Sequence, residues 1–231
     1  MRAISESTLG GLTLIVGPLL AIVFFILQPG GVLINSAEMD EAYATIYALS
    51  RYRTLANLTV IAISLGLIVS LYGQFVLLSG MQARAGGAAL AWFGFIFLAF
   101  GGFGWFVVQA LNFGMADTQL EVAASVQSAV AVYTAETSIA LLASLAIAFG
   151  FLLFSLGLAG CGACNRVGAW IVAAVSLIAL LSLIIGISDP SRLSDMIQVS
   201  RLCYFVWAIW TVSLGVGLLR RKEPPPATTG N

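Results

Sequence analysis

The chain has 231 residues, 60% of them hydrophobic and 9% charged, with ten basic and ten acidic side chains and no histidine; its mean hydropathy is +1.03. Soluble chains carry roughly 25% charged residues, so this one lacks the polar side chains to cover a water-facing surface. Zero net charge gives no reason to expect nucleic acid as a partner, and the absence of histidine removes the commonest metal ligand, the usual axial ligand of membrane haem and the usual proton shuttle near neutral pH.

The placement of charge is more informative than its amount. Six charge-free runs extend from Ser7 to Ala37, Thr54 to Ala83, Ala85 to Ala116, Thr137 to Asn165, Val167 to Ser188 and Leu202 to Leu219. A span needs about 20 apolar residues, because the hydrocarbon core is ~30 Å thick and a helix rises ~1.5 Å per residue. The runs are continuously apolar rather than alternating, which excludes the strands of a membrane barrel. The expectation is an all-α integral membrane bundle of six transmembrane helices, forming one domain over residues 1–221, with short extra helices on the outer face.

In chain order, the first span is placed at Gly10–Gln28, with a kink at Pro18; its length favours an uncleaved span over a signal peptide. Asn35 and Glu38 have the spacing of a helix cap, predicting an outer helix over Asn35–Arg53. The second span, Leu55–Gly80, carries Gly66, Gly73 and Gly80 at seven-residue intervals. The third, Gly86–Phe113, repeats that interval at Gly87, Gly94 and Gly101, and ends with Gln109 and Asn112, read as interhelical hydrogen-bonding groups. Thr118 and Glu121 form a capping-box pattern ahead of a helix running through Tyr133 into the fourth span, Tyr133–Gly160. That span carries Ala143, Gly150 and Gly157.

Seven residues is close to two helical turns, so each small-residue set marks one face, and small faces let helices approach closely in lipid. The third and fourth spans are expected to oppose theirs along a common seam, with Leu145 facing lipid. Cys161-Gly-Ala-Cys164 resembles a redox or metal motif, but a zinc site needs four ligands and the remaining thiol, Cys203, is placed at the opposite face. It reads as a small-residue turn, and neither a metal nor a cofactor is expected. The fifth and sixth spans are Gly168–Ser188 and Leu202–Leu219. The tail, residues 222–231 with three consecutive prolines, reads as a disordered cytoplasmic end.

Arg2, Arg84, Arg166, Arg220, Arg221 and Lys222 fall on one side of the membrane, while Arg51, Arg53, Arg192 and Arg201 share the other with eight of the ten acids. The positive-inside bias then places both termini in the cytoplasm. Glu136 is the acid nearest an apolar run, about one turn into the fourth span, and charge at membrane depth is costly unless paired. Arg201, Arg51 and Arg53 are expected at the same depth. The four together form a candidate outer polar site, readable equally as an interfacial ion pair steadying the bundle.

The stretch Ser50-Arg-Tyr-Arg53 leading into the second span, and Phe151–Leu158 followed by Arg166-Val-Gly168-Ala and another span, resemble a family of bacterial six-span membrane proteins known as a domain of unknown function. The resemblance covers about half the chain, and the family's usual proline before the Arg-x-Gly turn is absent. It implies six helices and a bacterial cytoplasmic membrane, and no activity. Catalytic motifs and nucleotide-binding loops are not found. The expected role is a non-enzymatic accessory, sensory or assembly subunit that binds a lipid or another membrane protein, itself included. The alternatives are a small transporter or channel using the outer polar rim, and an intramembrane enzyme acting on lipid.

Overall fold

A computed structural model describes residues 5–37, 41–81, 86–162 and 165–220. Over these the chain folds into seven α-helices: α1 (Glu6–Leu27), α2 (Ala42–Arg51), α3 (Arg53–Ser79), α4 (Ala88–Met115), α5 (Ala123–Cys161), α6 (Arg166–Ser188) and α7 (Leu193–Arg220), with a single 3-10 turn at Pro190–Arg192. All but α2 are long and apolar enough to cross a membrane. With no water available inside hydrocarbon, the helix is the segment-internal way to satisfy the backbone. α1 starts at a Ser5 cap, whose hydroxyl accepts from the Thr8 amide, and runs unbroken through Pro18. Asn165 caps α6 by accepting from the Val167 amide.

The outer connections differ from their expected form. Asn35 has φ of 44°, a left-handed conformation that cannot open a helix, and α2 begins only at Ala42. Residues 28–37 instead make a compact turn in which the Gly30 amide donates to the Ile34 carbonyl and Ala37 donates back to Gly30. Gly30 takes φ of 79° there, and a side chain at that position would crowd Thr45 of α2. The Glu38 half of the expected cap lies outside the described residues. Thr118 does not cap α5 either: its hydroxyl turns back to the Met115 carbonyl and closes the end of α4. α5 then starts at Ala123 and, as its sequence implies, continues straight into the membrane. Its 39 residues reach roughly 58 Å at 1.5 Å per residue, well beyond a bilayer core, so its first turns stand clear of the hydrocarbon.

The six long helices close a ring. α1 packs on α3, α3 on α4, α4 on α5, α5 on α6, α6 on α7, and α7 returns to α1. Three seams of the ring depend on the absence of side chains, one of them between α1 and α7, where a Cβ on Gly215 would strike the Gly11 carbonyl. Along α4 and α5, a Cβ on Gly94 would strike the Phe154 backbone, one on Gly157 the Ala91 backbone, and one on Gly150 the Leu98 amide at 2.8 Å. Gly101 faces the Ala143 carbonyl and Gly87 the Gly157 carbonyl in the same way. Along α1 and α3, Gly17 opposes Gly66, and Gly73 lies against Leu14. The glycines of α3 thus serve α1 rather than the α4–α5 seam, and Gly80 meets only carbonyls of its own helix. Leu145 is half-buried; the lipid-facing leucine of that stretch is Leu142, 65% exposed.

The two ends of the ring are filled differently. Toward the end holding residues 5 and 220, Leu14, Leu77, Leu78, Phe154, Leu158 and Leu214 form a dense core. At the α2 end a smaller cluster of Ile46, Leu49, Ala56, Met115, Ala129 and Tyr133 fastens α2 to α3, α4 and α5. Two cavities remain inside the ring, one of them walled by Leu98, Phe151 and Trp207 of the larger cluster.

Candidate functional site

The turn at 28–37, α2 and the first turns of α7 surround a cavity of about 110 Å³ at the α2 end. Each wall brings polar groups for a local reason. α1 ends at Gln28, which is buried and donates through Nε2 to Gln109 Oε1 of α4 at 3.2 Å. One turn beyond Gln109, Asn112 lines the cavity. Tyr133, Glu136, Ala140 and Ser144 follow along one face of α5, spaced by three or four residues as one helical side requires. From α7, Ser200, Arg201 and Tyr204 complete the lining.

Glu136 lies close to the Asn112 amide and within the field of Arg201, and Thr137 donates to its Oε2 at a long 3.4 Å. The Arg201 guanidinium stays more than 4 Å from the carboxylate, since the ion pairs found among the described residues are Arg53–Asp117 and Arg192–Asp189. A carboxylate and a guanidinium therefore face one space without closing on each other. One buried polar atom on this lining, and one behind it, lack protein partners. Ser200 Oγ is buried beside the Tyr204 hydroxyl, which donates to Ser144 instead. Gln109 Nε2 is buried and makes no hydrogen bond. A buried polar atom without a partner costs ~1–3 kcal/mol, so Ser200 Oγ marks a point on the lining where a guest can be bonded, whereas Gln109 does not reach the space.

The four residues expected to form an outer site divide into two pairs. Glu136 and Arg201 share the cavity. Arg53 is half-exposed and paired with Asp117 at the start of the α4–α5 connection. Arg51 donates to the Tyr47 hydroxyl on the exposed side of α2. Neither lines the cavity; Arg51 ends α2 and Arg53 begins α3, on either side of Tyr52. Sequence reasoning placed Asn112 and Gln109 in the bundle but did not join them to Glu136. It also passed over Gln28, Ser144, Ser200 and the 28–37 turn. The spacing of Tyr133, Glu136, Ala140 and Ser144 was the available signal for α5; nothing local marks the turn as a cavity rim.

Below this cavity lies a second, of about 160 Å³, lined by Pro18, Ile22, Ile63, Leu67, Leu98 and Phe151 among other apolar side chains. Phe25, Trp105 and Tyr204 border both spaces. Their rings meet edge to face, with centroids 6.3 Å apart for Phe25–Trp105 and 6.2 Å for Trp105–Tyr204.

Cys161 is half-buried at the end of α5 and Cys203 is buried near the start of α7, while Cys164 lies outside the described residues. Among the described residues no three His, Cys, Asp or Glu side chains gather closely enough to hold a metal ion. No protein-family model, no curated protein and no solved structure matches this chain.

Proposed function

We propose that this multi-pass membrane protein is a non-enzymatic lipid-binding subunit, accessory or sensory in role, that holds a dipolar headgroup in the cavity between Glu136 and Arg201. The observation that carries the reading is the pair of opposite charges lining one cavity, held apart, with the orphaned Ser200 hydroxyl on the same lining. A guest with a cationic and an anionic end, such as the headgroup of a zwitterionic phospholipid, would satisfy both at once. Arg201 suits the phosphate and Glu136 the amine.

The packing elsewhere supports a binding role over the alternatives. A conduit would have to continue past the dense core of Leu14, Leu77, Leu78, Phe154 and Leu158, which fills the other end. Lipid hydrolysis or transfer calls for a nucleophile with a base to activate it, and among the described residues Glu136 is the one carboxylate lining the cavity. The distribution of Arg and Lys supports a cytoplasmic location for both termini and an outward-facing cavity. The resemblance to bacterial six-span proteins supports a bacterial cytoplasmic membrane.

Protein purified in mild detergent is expected to retain zwitterionic phospholipid, detected by native mass spectrometry. Glu136→Gln and Arg201→Gln should each reduce that retention, and Arg51→Gln should not. Equal retention in all four proteins would refute the site.

A further inference from the structure

The headgroup cavity accounts for only the upper of the two spaces. The lower chamber extends along α3 from Ile63 to Gln74, about 16 Å of helix axis at 1.5 Å per residue. Its lining is apolar apart from Ser70, Gln74 and Thr211. The Thr211 hydroxyl is already used, donating to the Trp207 carbonyl. Neither chamber is a sealed void, and the wall between them consists of Phe25, Trp105 and Tyr204. A polar space stacked directly on a narrow apolar one has the amphipathic order of a lipid molecule.

We infer that the lower chamber takes the hydrocarbon chain of a single-chain zwitterionic amphiphile, a lysophospholipid, whose headgroup lies between Glu136 and Arg201. This rests on the proposed headgroup site and adds the class of ligand. The number of chains follows from the shape of the space. Small residues press α1 against α3 at Gly17–Gly66 and α4 against α5 at Gly94–Gly150, so the ring cannot widen there without breaking both seams. The edge-to-face rings of Phe25, Trp105 and Tyr204 stand between the two spaces. A chain joining them must displace a ring, and one chain demands less displacement than two. At the bottom the chamber ends at Gln74, whose buried Oε1 an alkyl chain does not bond, so the chain is expected to stop short of it.

The test uses Trp105 and Trp207, which line the chamber, and a lysophosphatidylcholine brominated along its chain. Bromine quenches indole emission only at short range. In the full-length protein in detergent micelles, quenching should saturate and be reversed by unbrominated lysophosphatidylcholine. It should lose its saturable part in Trp105→Phe/Trp207→Phe. A brominated two-chain phosphatidylcholine should give only the non-saturable quenching expected of exposed Trp92 and Trp170. Gly102→Leu should fill the chamber and weaken saturable binding about tenfold or more, because a Cβ there meets only the movable Leu71 side chain. Ala208→Leu, on the α7 wall, should do the same and serves if Gly102→Leu fails to fold.

Glycerophosphocholine, the headgroup without a chain, should still bind either variant. If it binds the wild type while brominated chains never reach Trp105 or Trp207, the chamber inference falls and the headgroup site stands. Saturable quenching by the two-chain lipid would overturn the single-chain assignment. If neither glycerophosphocholine nor lysophosphatidylcholine binds, the headgroup site falls and this inference falls with it.

Discussion

A carboxylate and a guanidinium held apart across one cavity respond to a guest differently from a closed ion pair. Removing one member of a closed, buried pair strands the other and costs several kcal/mol. Glu136 and Arg201 are not closed, so Glu136→Gln should leave the thermal transition near that of the wild type while lowering retention of zwitterionic phospholipid. A large fall in melting temperature would show that the carboxylate is structural. Arg53–Asp117 is the contrasting case: both partners are about half-exposed, and water screens them. Arg53→Gln is therefore expected to cost no more than about 1 kcal/mol, measured by denaturant or thermal unfolding in detergent. Trp207 lies between these extremes. Its Nε1 donates to Ser176 at 3.0 Å in a buried position, tying α7 to α6, and its ring stacks on Phe151 at 4.8 Å. Trp207→Phe keeps most of the ring and loses the donor, for a loss of roughly 1 kcal/mol.

Between helices, the contacts that matter are those where a side chain is missing. Lipid is as apolar as leucine, so spans associate through close packing rather than through hydrophobic drive. At Gly94, Gly150 and Gly157 the facing backbone stands where a Cβ would go. Gly94→Leu and Gly150→Leu must push α4 and α5 apart, and each should destabilise the bundle by at least the ~1–3 kcal/mol of an overpacked core. Leu142→Ala, on the lipid-facing side of α5, should cost much less. Unfolding titrations of the three variants check the order, and a larger loss from Leu142→Ala would contradict the seam. The seven-residue spacing marks these faces in the sequence, but spacing does not name the partner. Gly66 and Gly73 carry the same pattern as Gly87, Gly94 and Gly101, yet they meet Gly17 and Leu14 of α1. Which faces meet depends on the order of helices around the ring, a property no single span contains.

At the scale of the whole molecule, six spans require residues 5 and 220 to lie at the same end, and the Arg and Lys bias supports our proposal that this end is cytoplasmic. Reporter fusions after Lys222 and within Asp117–Glu121 are expected to report opposite sides, the second external. A common side for both would break the six-span count, and opposite sides in the reverse sense would invert the cavity. Amino-acid order alone determined the helical class, the six spans and the small-residue faces. These depend on bilayer thickness, helical rise and the cost of charge in hydrocarbon, all of which act on consecutive residues. It also singled out Glu136 and Arg201, because a charge near an apolar run is conspicuous wherever the chain goes. The tertiary structure decided that these two face one cavity while Arg51 and Arg53 do not. It decided too that the 28–37 turn rims that cavity, and that packed clusters at both ends leave two cavities inside the bundle. A cavity is bounded by helices far apart in sequence, and its existence depends on what their side chains fail to fill. Only the closed ring, with α1 returned against α7, sets that remaining space.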